Sequence, residues 1–340
     1  MKYHLWIIGC QYNEWDGARL RYFLDSLGLQ ESEVKKADVI IIVACAVRQT
    51  AVDRILGRVK NWIPLRSKSY AGQASKKVLV TGCILDSDKK KFADKGIQIF
   101  KPGDFETLKK YLGLQPTSYK LIPTSCSYVP IMTGCNNFCS YCAVPYTRGR
   151  EKSRPMGEVI SDVKSLISAG HKDITLLGQN VNSYEYGFSK LLKDLNDLEG
   201  DFKIGFISNH PKDMSDDIIE AVAKLPKVKK EIHLPLQSGS NKVLRSMNRP
   251  YTIKQYLDIV NKIKKAGKID ITTDVIVGYP TETEEDFEKT IEIFEKVKFK
   301  QAYINKYSPR AGTVAYKLGD PIPWAEKQCR WRVLNDLIKR

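Results

Sequence analysis

Cys135, Cys139 and Cys142 stand in the spacing C-x3-C-x2-C within the stretch GCNNFCSYC. Three thiolates on one short loop can ligate three irons of a [4Fe–4S] cube and leave the fourth iron open to a cofactor or substrate. A structural zinc ion asks for four ligands, commonly in two paired knuckles. Cys126, nine residues upstream and on the far side of an apolar run, is a poor fourth ligand. Three more cysteines each follow an apolar run: Cys10 in IIGCQYNEWD, Cys45 in VIIIVACAVRQTA and Cys83 in VLVTGCI. One such thiol alone is best read as a small buried hydrophobe. Three at the C-terminal ends of consecutive parallel strands converge on one point and can hold a second cluster with its own open iron. The remaining cysteine, Cys329, is expected in the core of a terminal helix. His4, His171, His210 and His233 share no ligand spacing with one another or with the cysteines, and read as solvated or satisfied structural side chains.

The elements that must position these thiols alternate. In the first part, strands are expected at 3–9, 38–44, 77–81 and 97–100, and helices at 16–27, 50–62 and 105–112. The run DVIIIVA at 38–44 is apolar throughout, as a strand covered on both faces requires. A polar stretch at 115–127 reads as a linker. The second part repeats the unit, with strands at 128–133, 173–178, 203–208, 231–235, 270–277 and 301–307. Helices are expected at 157–169, 189–198, 215–225, 253–266 and 284–297, and a last amphipathic one at 324–340. Strand–helix units in this rhythm predict an α/β fold: a small open parallel-sheet N-terminal domain at 1–120, then an incomplete (β/α)6 barrel at 121–340. In such sheets chemistry sits at the C-terminal strand ends, where all six cysteines fall.

The 340 residues are 42% hydrophobic and 28% charged, a globular balance. No apolar run is long enough to span a bilayer and the N-terminus is no signal peptide, so the expected location is cytoplasmic, without a membrane. Eight cysteines in that setting argue for metal or redox chemistry over disulfides. The net charge of +16 favours a polyanionic partner such as RNA, against the alternative of a merely basic surface. More than half of the excess lies in residues 1–122, which hold 21 basic and 12 acidic side chains.

Taken in order, these segments resemble the methylthiotransferase family of radical S-adenosylmethionine (SAM) enzymes over nearly the whole chain. GCQYNEWD and the Cys45 and Cys83 segments are similar to its N-terminal domain. GCNNFCSYCAVPYTRGREKSRP, LLGQNVNSY, SNHPKDMSDDIIEA, HLPLQSGSNKVLRSMNRPYT, DVIVGYPTETEEDF and YSPRAGT follow the order of its radical SAM domain. VPYTRG and GQNVNSY lean towards the branch that modifies N6-isopentenyladenosine in tRNA. Relatives acting on threonylcarbamoyladenosine or on a ribosomal protein usually differ there. The family also ends in a small RNA-binding barrel, TRAM, and the chain is expected to lack it.

The resemblance implies two [4Fe–4S] clusters, on Cys135, Cys139 and Cys142 and on Cys10, Cys45 and Cys83, together with SAM. One SAM would methylate a sulfur held on the auxiliary cluster. A second, at the radical cluster, would generate the radical that takes hydrogen from C2 of the adenine, both clusters facing one cavity. A C2–H bond has no useful acidity, and no acid–base constellation appears in the sequence. Tyr141 would lie near the SAM adenine. Gln179, Asn180, Gln237 and Ser238, at strand ends, are expected to meet SAM or the base, with helix capping as the plainer role for the first two. Gly278 would allow close backbone approach to SAM, or simply turn the chain. Arg148, Arg150 and Arg154 in a basic loop would bind RNA phosphates, unless they are solvated charge. Expected partners are the tRNA anticodon stem-loop and a flavodoxin- or ferredoxin-type electron donor, with the chain a monomer. A reading from another class is a non-catalytic, zinc-stabilised RNA-binding protein.

Overall fold

The computed structural model describes residues 1–45, 49–62, 76–114 and 126–339. It divides into two compact units, Met1–Cys126 and Ser127–Arg340. Of the expected linker, residues 115–125 lie outside the described residues.

The first unit is a parallel sheet with helices on both faces. Its elements are β1 (Lys2–Ile7), α1 (Gln11–Ser26), β2 (Gln30–Glu31), β3 (Val39–Cys45), α2 (Gln49–Val59), β4 (Lys77–Cys83), α3 (Asp86–Ala93), β5 (Gln98–Ile99) and α4 (Phe105–Leu112). The strand order is β2-β1-β3-β4-β5. Alternate residues of β3 enter opposite cores, because successive strand side chains point to opposite faces. Val39, Ile41 and Val43 pack with Phe23, Leu24, Phe105 and Leu108 of α1 and α4. Ile40 and Ile42 pack with Val52, Ile55 and Phe92 of α2 and α3. Between β1 and β3 the connecting helices change faces. Such a reversal, beyond the carboxyl ends of the strands, is the place where open α/β sheets bind ligands.

The second unit carries β6 (Tyr128–Pro130), β7 (Met132–Thr133), α5 (Val144–Arg148), β8 (Lys152–Ser153), α6 (Met156–Ser168), β9 (Asp173–Leu177), α7 (Phe188–Asn196), β10 (Lys203–Phe206), α8 (Asp216–Lys224), β11 (Glu231–His233), α9 (Asn241–Ser246), α10 (Ile253–Ala266), β12 (Asp270–Val277), α11 (Glu284–Val297), β13 (Gln301–Lys306) and α12 (Trp324–Lys339). Two parallel three-stranded sheets, β6-β9-β10 and β11-β12-β13, approach each other where Ile204 bridges Val228. Six barrel strands therefore follow one another in chain order, as the sequence predicts. One large core joins their outer side chains to the helices, from Val159 and Val163 of α6 to Phe287 and Phe294 of α11.

Three expectations need correction. The strand expected at 128–133 breaks after Ile131: Met132–Thr133 pairs antiparallel with Lys152–Ser153 and leads the chain out of the sheet. α1 begins at Gln11, because the Cys10 carbonyl accepts from the Asn13 and Glu14 amides. Its first two turns bury the polar Asn13 and Asp16, so apolar spacing does not reveal its start. Cys329 is exposed, since the stripe that α12 buries runs through Lys327, Arg330 and Leu334.

Candidate metal centres

In the first unit the sheet brings its three cysteines together. β3 and β4 are in parallel register, and their last residues, Cys45 and Cys83, are direct partners across the ladder. Cys10 follows β1, the neighbour of β3 on its other side, and opens α1. It caps no amide of that helix, so the positive end of a 16-residue helix starts at the thiol. Asn13, wholly buried, ties the group together. Its Oδ1 accepts from the Cys10 thiol at 3.4 Å, and its Nδ2 donates to the Ala44 carbonyl at 3.1 Å. Gly9 has φ +148°, and a Cβ there would lie 2.6 Å from Asn13 Oδ1 and 2.8 Å from Cys45 Cβ. The segments carrying Cys10 and Cys45 are thus in close contact. The Thr81 hydroxyl, two residues before Cys83 on the same strand face, is buried with no hydrogen-bond partner.

In the second unit Cys135, Cys139 and Cys142 share the loop between β7 and α5. Gly134 turns its start at φ +80°, and a Cβ there would strike the Arg150 carbonyl. The Gly134 amide donates to Gln179 Oε1 at 2.6 Å, and the Cys135 amide to the Gly149 carbonyl at 3.2 Å. The far side is held by residues more than a hundred positions away. Ser140 is buried; its amide donates to the Met247 carbonyl, and its hydroxyl meets the Ser246 carbonyl and the Tyr279 hydroxyl. Asn248 Nδ2 donates to the carbonyls of Asn137 and Phe138. Arg249, 6% exposed, reaches Cys139 Sγ with Nη1 at 3.4 Å. Its Nη2 donates to the Pro235 carbonyl at 3.2 Å and its Nε to the Tyr251 hydroxyl at 3.1 Å.

Burial pushes the Cys135 thiol up, and the Cys142 thiol up to about 12. Left alone these sulfurs stay protonated; a bound metal reverses that, because a coordinated thiol is deprotonated outright. Among the described residues no three His, Cys, Asp or Glu side chains close on a single ion. A cube makes no such demand, since each thiolate takes its own iron. Three sulfurs on one rim, with a buried guanidinium against one of them, fit that group.

The other expected site residues surround the two loops unevenly. Tyr141 leans on a small core of Val243, Met247, Tyr279, Tyr307 and Ala315. Asn180 caps no helix; it is buried, donates to Asp213 at 2.8 Å, and its Oδ1 has no partner. Gln237 and Ser238 are buried after β11, Gln237 at φ +66° with its backbone bonded to Asp274 and Ile276. Gly278 has φ +71° and donates to Glu282, and its missing Cβ makes room for the Lys327 side chain. Arg150 lies over the Phe138 ring at 4.2 Å. Arg154 spends its guanidinium on the Pro130 carbonyl and on Asp162, both within 2.9 Å. Arg148 ends α5.

Sequence reasoning missed Asn13, Arg249 and His210. The asparagine three residues after Cys10 is a usable signal; the arginine gives none until the chain folds. His210 is a buried histidine with an unsatisfied Nε2, not a solvated one, and burial lowers its pKa to about 2, with Arg249 and Lys212 adding to the effect.

Comparison with known proteins agrees with this layout. The Radical SAM superfamily matches residues 129–294, and the uncharacterized protein family UPF0004 matches residues 2–100. A tRNA-2-methylthio-N(6)-dimethylallyladenosine synthase of Thermoanaerobacter pseudethanolicus is 40% identical over 98% of this chain and 77% of its own length. The synthases of Finegoldia magna and Thermotoga petrophila are 39% and 37% identical, over 97% and 100% of this chain and 77% and 82% of theirs. The chain belongs to the methylthiotransferase family of radical SAM enzymes. Its fold is shared with more distant members of the superfamily. The methyltransferase TsrM of Kitasatospora setae, solved with cobalamin and a [4Fe–4S] cluster, superposes at TM-score 0.67. That match has 11% identity and covers 93% of this chain and 74% of TsrM.

Proposed function

We propose that this chain attaches a methylthio group to C2 of N6-isopentenyladenosine next to the anticodon of tRNA. In this reading Cys135, Cys139 and Cys142 hold the radical [4Fe–4S] cluster, and Cys10, Cys45 and Cys83 hold the auxiliary one. When bound, the clusters and SAM supply the electron, the radical chemistry and the methyl and sulfur groups, which no side chain can supply.

The protein's part is positioning. Gln179 braces the start of the radical-cluster loop, and Asn248 and Arg249 brace it further along. Asn180, with an unpartnered buried acceptor, and Gln237 and Ser238, at the end of β11, offer polar contacts to SAM or to the base. An adenine beside the anticodon is single-stranded and can be splayed into a barrel mouth. Arg148 and Arg150 supply charge for the tRNA backbone, and a flavodoxin- or ferredoxin-type protein supplies electrons. The chain works as a cytoplasmic monomer.

The observation that carries the reading is the pair of three-cysteine sets, one per unit, in a chain about 40% identical to the named synthases along nearly all its length. The test is mass spectrometry of tRNA nucleosides from a strain lacking the gene. Expression of this chain should restore 2-methylthio-N6-isopentenyladenosine, and its Cys135→Ala variant should not. Restoration of the threonylcarbamoyl counterpart alone would overturn the substrate, and restoration by Cys135→Ala would overturn the mechanism.

A further inference from the structure

Arg249 is a buried cation whose charge no carboxylate answers. Among the described residues its guanidinium meets the Tyr251 hydroxyl, the Pro235 carbonyl and the Cys139 sulfur, and it forms no ion pair with Asp or Glu. Two other deeply buried cations of this unit are treated differently: Arg330 is bound by Glu282, Glu284 and Glu326, and Lys327 by Asp320. An unpaired charge taken out of water costs several kcal/mol, so a fold that keeps Arg249 dry needs a counter-charge beside it. Among the described residues the only anionisable groups within hydrogen-bond reach are the Tyr251 hydroxyl and the Cys139 thiol, and of these the thiol is the one that a bound metal deprotonates.

We infer that Arg249 is a positioning and potential-setting residue for the cluster at Cys135, Cys139 and Cys142, acting by a charge-assisted hydrogen bond to the Cys139 thiolate. The inference rests on the proposed ligand assignment. Its chemistry is direct. A reduced cluster carries one more negative charge than an oxidised one, so a fixed positive charge on a ligating sulfur favours reduction. Arginine suits the place better than lysine: its planar fork reaches three partners at once, and its charge does not titrate. The neighbouring Asn248 holds the same loop by its carbonyls, so a single turn after α9 fixes both the backbone and one sulfur.

The experiment uses the full chain with Cys10, Cys45 and Cys83 replaced by Ala, so that only the radical cluster loads. In this background Arg249→Met and Arg249→Lys are compared with the parent by electron paramagnetic resonance during a redox titration without SAM. Arg249→Met should lower the equilibrium constant for cluster reduction at least tenfold, a shift of about 59 mV for one electron, with Lys in between. The metal-free form of Arg249→Met should melt no lower than its parent, because it loses an uncompensated charge, while the gain in melting temperature on loading should shrink. An unchanged potential in a variant that loads iron normally would refute the inference, even if SAM affinity fell. Failure of the parent itself to load a cluster would overturn the ligand assignment instead.

Discussion

Gly9 offers the sharpest test of the auxiliary site, because a single methyl group there acts as a wedge. In Gly9→Ala the new Cβ would sit 2.8 Å from Cys45 Cβ and 2.6 Å from Asn13 Oδ1. Carbon atoms pack best at about 3.5–4.0 Å, so the segments bearing Cys10 and Cys45 must part by about 0.7 Å or more. Asn13 cannot swing aside without loss, because its amide is pinned to the Ala44 carbonyl and to the Cys10 thiol. The two hydrogen bonds are each worth about 0.5–1.5 kcal/mol. A side chain at φ +148° adds strain of about 1–3 kcal/mol. The unit should lose about 2–6 kcal/mol in urea unfolding. A functional constellation has to be held to within about 0.5 Å, so the displacement exceeds the tolerance of a three-thiolate site. Anaerobic reconstitution should then yield about four irons per chain instead of about eight. SAM cleavage at the other cluster should survive, while methylthio transfer falls about 10²-fold or more. Gly28→Ala is the control. It also carries a positive φ, +76°, yet its Cβ meets nothing within 4 Å, so it should cost some stability and no iron. If Gly9→Ala kept a full complement of iron and transferred at the parental rate, the convergence of Cys10 and Cys45 would not be what builds the site.

Two further perturbations probe the second unit. His210 has its pKa lowered to about 2 by burial, below the unfolded value near 6.5. Its contribution is therefore complete above pH 6.5 and is lost as pH falls towards 2, by about 1.4 kcal/mol per unit. His210→Gln should remove about 2 kcal/mol of the stability difference between pH 7 and pH 5 in urea unfolding, and an unchanged difference would mean that this histidine titrates normally. Arg330→Met strands the buried Glu282 carboxylate, which also accepts from the Gly278 amide at 2.6 Å. The loss should be about 3–5 kcal/mol at pH 8 and smaller at pH 5. Burial already raises the Glu282 pKa, so the stranded group takes up a proton as pH falls; equal losses at the two pH values would count against the pairing.

The parts of the fold that the sequence reveals are those whose side chains face a core. α4, α10, α11 and β12 lie at the residues expected, because apolar spacing is unbroken along them. β3 reads clearly since both its faces are covered. What the sequence hides has other causes. α3 spans DSDKKKFA and buries a single apolar side chain, Phe92, so no period marks it. The first turn of α1 meets Cys10 with Asn13, and the polarity of that residue belongs to the site, not to the helix. The bond from Arg249 to Cys139 joins residues 110 positions apart, and no local rule connects them. The cysteines themselves are legible because cluster chemistry limits the residue type, whereas the residues that steady them are ordinary polar side chains chosen by geometry.

The two thiol sets solve one problem by opposite means, and this sets what each is sensitive to. Cys135, Cys139 and Cys142 are gathered by a single loop, so their grouping needs no sheet at all. That loop has little stiffness of its own and is held by Ser140, Asn248 and Arg249 from outside it. Cys10, Cys45 and Cys83 are separated by whole strand–helix units and meet only because β1, β3 and β4 lie side by side in fixed register. A one-residue slip between β3 and β4 would send Cys83 to the opposite face from Cys45, since strand side chains alternate. The first set is therefore vulnerable to changes in its braces, which loosen the ligands without unfolding the unit. The second is vulnerable to anything that loosens the sheet, so in the parent protein denaturant should release the auxiliary iron and unfold the first unit as one cooperative event.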